Sequence, residues 1–171
     1  MDVQEAVKTR RAVRSYKPDA VPEESLKRIL EAVRLAPSAK NKQDWKFIVV
    51  KNPEKRKQLS EAARNQEFIA QTPMVIVGVA LDPDYIMGSE VPAYAVDLGI
   101  AMEHIALSAV EEGLGTCWVG GFSQKEVKEV LKIPEKYKVV ALMPLGFPAD
   151  KPASKIRKDL EEITCYENFT E

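Results

Sequence analysis

Met74-Val75-Ile76-Val77-Gly78-Val79-Ala80-Leu81 is apolar throughout, with no polar residue at every second position. A strand with one wet face alternates, so this run describes a central strand covered on both faces. On its N-terminal side, Lys46-Phe47-Ile48-Val49-Val50-Lys51 is a shorter β-rich run, and Asn52-Pro53 then serves as cap and first turn of a helix to about Arg64. Further back, Leu26, Ile29, Leu30 and Val33 recur at helical spacing between Pro22, which sits where a first-turn proline belongs, and Pro37, which stops the pattern. Residues 2 to 9 are expected to form a short helix.

On the C-terminal side, Leu81 to Pro92 has turn chemistry and exposed aromatics, the pattern of a loop or a flap over a site. From Val91 to Glu112 the sequence predicts the longest helix, apolar nearly all round and hence buried on every side. One face can meet the sheet. The other needs a second subunit packed isologously, or else the helix is wholly internal. Gly113-Leu114-Gly115 ends it, and Thr116 to Val119 is read as a short strand entering Gly120-Gly121-Phe122. Ser123 then caps a helix, with Glu126 completing a capping box. Residues 137 to 146 are the last strand, in which Pro144 implies an edge or an end. After Pro148 the tail is polar until Leu160-Glu161-Glu162-Ile163 and has no core of its own. With no repeat, linker or regular βαβα alternation, residues 1–171 read as a single α+β domain.

The chain of 171 residues is 45% apolar, enough for a normal core. Its 25 basic and 26 acidic residues nearly cancel, so neither nucleic acid nor an anionic membrane is indicated as a partner. Charge comes early, at Asp2, Glu5, Lys8 and Arg10, which does not suit a signal peptide, and no apolar run was expected to approach the ~18 residues of a membrane span. Cys117 and Cys165 lie far apart and form no metal-type pair, which suits buried structural thiols in a reducing cytoplasm. His104 is the only histidine. That excludes a Ser-His-Asp hydrolase, a His-rich zinc site and an H-E-x-x-H protease, so an enzyme of this sequence would borrow its chemistry from a cofactor.

Three segments carry the candidate chemistry. Arg10-Arg11-Ala12-Val13-Arg14-Ser15-Tyr16 places three arginines in five residues, a fork chemistry suited to phosphate, or otherwise a solvated basic patch. Pro37 to Trp45 is a polar loop whose Ser38, Asn41 and Gln43 could address the edge of a heteroaromatic ring. Trp118-Val119-Gly120-Gly121-Phe122 ends in two glycines that let a backbone N–H approach a flat ligand, or simply make a tight turn.

Taken in order, R-R-A-V-R-S-Y at 10–16, Val21-Pro22, A-P-S-A-K-N-K-Q-D-W at 36–45, the helix bearing Asp97 and Gly99, G-L-G-T-C-W-V-G-G-F at 113–122 and Leu145-Gly146-Phe147-Pro148 resemble the nitroreductase family over essentially the whole chain. The resemblance implies an α+β sandwich with a central mixed sheet flanked by helices. It also implies a homodimer with FMN in shared interface pockets and a C-terminal tail reaching the partner.

Carried over by position, Arg10 meets the FMN phosphate, Ala12 offers its backbone, and Arg14 approaches the N1/O2 edge of the isoalloxazine. Ser38 and Asn41 resemble residues from the opposite subunit, Asn65 addresses the pyrimidine side of the ring, and Gly120 places its N–H near flavin N5 with Gly121 following. Lys155 and Arg157 resemble a phosphate-reaching K-x-R pair. Arg11, Pro37, Ala39, Trp118 and Val119 flank these contacts and complete the implied cofactor-binding set, with no metal.

The implied reaction is ping-pong, with hydride passing from NAD(P)H through FMN to a nitroaromatic, quinone or similar small-molecule acceptor. Dehalogenation, enone or flavin reduction on the same fold, and non-catalytic FMN binding, remain the alternatives. This sequence departs from the family in having Ala12 where Ser is common, and Asp44 where proline usually precedes the tryptophan.

Overall fold

The computed structural model describes residues 1–153 and 156–170. Helices α1 (Val3–Thr9) and α2 (Glu23–Arg34) precede strand β1 (Trp45–Val50). Helices α3 (Pro53–Ala62) and α4 (Phe68–Gln71), strand β2 (Met74–Ala80) and helix α5 (Ala93–Glu111) follow. Strand β3 (Gly115–Thr116), helix α6 (Gln124–Leu131), strand β4 (Lys138–Gly146) and the short α7 (Leu160–Ile163) complete the order.

The strands lie in the order β1-β2-β4-β3, so β2 is an interior strand as its unbroken apolar run requires, and every residue of it is buried. Its side chains still divide by pleat. Met74 and Ile76 join Leu26, Ile29, Met102 and Ile105 in a core against α2 and α5, whereas Val75, Val77 and Val79 join Leu59, Ile69 and Val127 against α3, α4 and α6. Each such side chain, once fully buried, contributes about 1.5–3 kcal/mol.

All pairings among the four strands are antiparallel. The mixed sheet that the resemblance implied is reduced to one parallel bridge, between Ala12 and Thr116. The strand expected over Thr116 to Val119 is Gly115–Thr116, after which only Val119 rejoins β4, bridging Leu142. Pro144 does not mark an edge strand, since β4 lies between β2 and β3. It falls two residues from the strand's end, opposite Val75, between the β3 pairing at Leu145 and the Val119 bridge, where no neighbour asks it for an N–H.

Other corrections are local. Pro22 is the N-cap of α2 and not its first helical residue. Ser123 accepts from the Glu126 N–H as expected, but the capping box with both bonds present belongs to Asp159 and Glu162 at α7. Cys117 is buried as expected, whereas Cys165 is exposed in the tail.

Helix α5, 19 residues long with an 18-residue stretch of mean hydropathy 1.3, is long and apolar enough to cross a membrane by length and composition, contrary to expectation. Here Ala101, Met102, Ile105 and Ala109 pack into the core beside α2. It is not buried all round within one chain, because Val96 is exposed and Ile100, Leu107 and Val110 are only partly covered. At its end Gly113, at φ 71°, lets its own N–H reach Val110 O at 3.0 Å and the Leu114 N–H reach Ala109 O at 2.8 Å. The chain thereby turns directly into β3.

Residues 10–16 are stitched beside β3. The Val13 N–H donates to Thr116 O at 2.8 Å, and the buried Tyr16 hydroxyl donates to Val13 O at 2.8 Å and leans toward Pro144 O at 3.4 Å. Burial pushes the Tyr16 phenol far above its ordinary pKa, so it stays a donor. The segment fits because Gly115 has no side chain: a Cβ there would lie 2.4 Å from Val13 Cγ2 and 2.9 Å from Val13 Cβ. Val13 is β-branched and stiff. Gly115→Ala should therefore destabilise the fold by about 1–3 kcal/mol in urea unfolding, and a change within ~0.5 kcal/mol would contradict the close approach described here.

Candidate functional site

Three segments meet where residues 10–14 run beside β3. Arg10 caps the C-terminus of α1, its N–H donating to Ala6 O at 2.9 Å, and its side chain turns toward α5, where Nε lies 3.1 Å from Glu103 Oε1. Arg11 is occupied locally, since its guanidinium donates to the carbonyls of Lys8 at 2.6 Å and Arg10 at 2.8 Å. Ala12 lies on the bridge to Thr116. Arg14 is exposed, with its guanidinium 6.0 Å from the ring centre of Phe68, and no carboxylate pairs with it among the described residues.

The second segment follows β3. Val119 is buried and exchanges backbone hydrogen bonds with Leu142, both at 3.0 Å. This pins the strand so that Trp118 and Gly120, to either side, face outward. Trp118 Nε1 donates to Glu103 Oε2 at 3.0 Å. Nothing lies within 4 Å of the Cβ position of Gly120. Packing within the chain thus gives no reason for glycine there, whereas a flat ligand lying against the backbone does.

The third segment is the α3–α4 turn. Arg64 and Asn65 adopt left-handed φ values of 62° and 56°, which asparagine tolerates better than most residues. The Arg64 guanidinium passes 3.8 Å from the Cβ position of Gly121, and Gln66 Nε2 donates to Ala63 O at 2.8 Å and toward Gly121 O at 3.5 Å. The exposed Asn65 thereby stands on the turn next to the glycine pair.

The loop after α2 is fixed elsewhere. Lys40, Asn41 and Gln43 all have left-handed φ, at 51°, 54° and 55°. Such a loop needs anchors, and it has several. The Ala39 N–H donates to the buried Asp97 of α5 at 2.9 Å, Ser38 Oγ accepts from the Gln43 N–H at 3.0 Å, and Asp44 O accepts from the Leu81 N–H at 3.0 Å.

Asp44, the residue in the place of a proline, is tied in through Lys42. Lys42 Nζ sits 3.0 Å from Asp44, 2.7 Å from Asp82 and 4.2 Å from the centre of the Tyr85 ring. The two carboxylates hold the ammonium protonated well above the usual lysine range, Asp82 contributing most. Loop and flap are in this way clamped together.

The model described as the nitroreductase family matches residues 7–89 and 61–147. The chain belongs to the nitroreductase family. A relative from Methanothermobacter thermautotrophicus, whose name pairs NADH dehydrogenase with NAD(P)H nitroreductase, is 34% identical over 168 residues, 95% of this chain and 86% of the relative. A nitroreductase family protein from Clostridium novyi NT superposes with a TM-score of 0.83 at 39% identity, covering 95% of this chain and 91% of that one. An FMN-dependent nitroreductase from Clostridium difficile R20291 gives 0.82 at 32%, covering 96% and 98%.

Within this nitroreductase-family chain the expected residues fall into two groups. Arg10, Ala12, Arg14, Asn65, Trp118, Val119, Gly120 and Gly121 are brought together by the three segments. Pro37, Ser38, Ala39 and Asn41 stand on the separate loop, and among the described residues no hydrogen bond, ion pair or ring contact joins that loop to the first group. Arg157 is exposed in the tail, its guanidinium 3.4 Å from Ile156 O, and Lys155 lies outside the described residues.

Glu103 and Asp97 were not singled out for these roles. Both are carboxylates in the middle of a largely apolar helix, which is itself a signal that each has a partner. Asp97→Ala removes the acceptor for Ala39 N–H and should cost about 1–3 kcal/mol. Increased proteolysis of the 38–44 loop should accompany it, and unchanged stability would show that the other anchors suffice.

Proposed function

We propose that residues 1–171 form one FMN-binding domain acting as an NAD(P)H-dependent oxidoreductase of the nitroreductase and FMN-reductase type, reducing nitroaromatic, quinone or similar small-molecule acceptors in the cytoplasm. The observation that carries the reading is the open space over Gly120, on the stretch following β3, beside which runs the segment bearing Arg10 and the exposed Arg14. A planar anion-bearing ligand fits that donor set. Bound there, FMN supplies hydride transfer, taking up from NAD(P)H and giving to the acceptor in turn.

The remaining work falls to the chain. The Arg10 fork would hold the phosphate, and the Arg14 charge would favour the reduced, electron-rich form of the ring. The Gly120 N–H would orient the ring for hydride transfer, and Asn65 would address its pyrimidine side. No side chain need act as acid or base at neutral pH, in keeping with a single histidine that is held against Ala32 O at 2.9 Å.

The active unit in this reading is a homodimer. Ser38 and Asn41 come from the partner subunit, since within one chain their loop stands apart from the arginine segment. The incompletely covered Ile100, Leu107 and Val110 of α5 provide an apolar contact face, and the tail, with Leu160, Ile163, Tyr166 and Phe169 exposed, reaches across and brings Arg157 toward the phosphate.

The purified protein should be yellow, and NAD(P)H added without oxygen should bleach it; bound FMN that stays oxidised would sink the reductase reading. Arg10→Ala should weaken FMN roughly 10- to 100-fold, the loss of a charge-assisted contact. Gly120→Ala, by contrast, should leave stability within ~0.5 kcal/mol yet impair flavin binding, and unimpaired binding would remove the ring from Gly120.

A further inference from the structure

We infer that Glu103 is a positioning residue for the phosphate end of the flavin site, coupling Arg10 to Trp118 through the two oxygens of one carboxylate. The inference rests on the reading of Arg10 given above. Glu103 lies on α5 between Ile100 and Leu107, apolar neighbours on the same incompletely covered face. Both of its oxygens are engaged: Oε1 lies 3.1 Å from Arg10 Nε, and Oε2 accepts from Trp118 Nε1 at 3.0 Å. A carboxylate held at both ends cannot follow one partner without leaving the other.

Which guanidinium nitrogen is engaged decides what the contact does. Arginine carries five N–H donors, and the pair of terminal nitrogens is the edge that matches phosphate in a bidentate fashion. Glu103 approaches Arg10 at Nε, at ion-pair distance, which biases the direction of the side chain and, among the described residues, leaves its terminal nitrogens without a hydrogen-bonded carboxylate. A carboxylate seated on the terminal edge would compete with phosphate; one seated on Nε orients the fork. The other end of the link, Trp118, directly precedes Val119 and the open Gly120. Glu103 in this way sets the phosphate end and the ring end of the site in one fixed relation.

The test uses the full-length protein with FMN and riboflavin, which differ only in the phosphate, each titrated by flavin fluorescence. Wild type should prefer FMN. Glu103→Gln keeps an acceptor for Trp118 but turns an amide on Arg10, and should weaken FMN roughly three- to tenfold while leaving riboflavin unchanged. Glu103→Asp keeps the charge but is too short to span both partners, and should reproduce the loss. In an Arg10→Ala background the Glu103→Gln effect should vanish, as required of two residues acting as a unit.

Equal weakening of both flavins would make Glu103 merely structural, tightening of FMN would make it a competitor, and no change would leave it without a role; each overturns the inference. If wild type binds FMN no better than riboflavin, the phosphate role of Arg10 falls first, and the inference with it. That result differs from every outcome in which Arg10 matters and Glu103 does not.

Discussion

The close seating of Val13 against Gly115 is the constraint on which the candidate site depends. It lets residues 10–16 lie beside β3 with the Val13 N–H on Thr116 O, and so brings two guanidinium-bearing positions, Arg10 and Arg14, alongside the turn at Gly120. β3 reaches that place because Gly113 reverses the chain at the end of α5 within a single turn. A helix terminus, a two-residue strand and an N-terminal segment are in this sense one device. Its stiffness comes from the sheet, as Val119 is locked to Leu142 and Tyr16 to the carbonyls of Val13 and Pro144.

Much of this is written locally in the chain. The unbroken apolar run of β2 implies a sheet covered on both faces, Asn52-Pro53 marks the start of α3, and Gly113 marks the end of α5, because each feature acts through its near neighbours. Pairing direction is not local. Nothing in Thr116 to Val119 says that only part of it will pair with β4, or that Pro144 will fall where no neighbour needs a donor. The exposure of Cys165 and the uncovered stripe of α5 likewise depend on what packs against them, which no periodicity records.

The site shows the same division. Arg10, Arg14 and the glycine pair stand out by composition and by family resemblance. Glu103 does not, because its significance is a meeting of Arg10 and Trp118, far apart in sequence. Asp44 is instructive in the opposite direction. It departs from the family pattern, yet Lys42 gathers it together with Asp82 and the Tyr85 ring, so a rigid residue is replaced by a charged clamp. Such a clamp, being partly exposed, weakens with added salt where a proline would not.

The apolar side chains described in the tail are uncovered. Ile156, Leu160, Ile163, Tyr166 and Phe169 all point into solvent, at the end of a chain whose sheet is otherwise well covered. In the dimer proposed above, covering them is part of reaching the native state, so folding and association are linked by mass action. For such a dimer dilution would act as a mild denaturant does, and the quantity that measures stability would depend not on the sequence alone but on how many copies share the same volume.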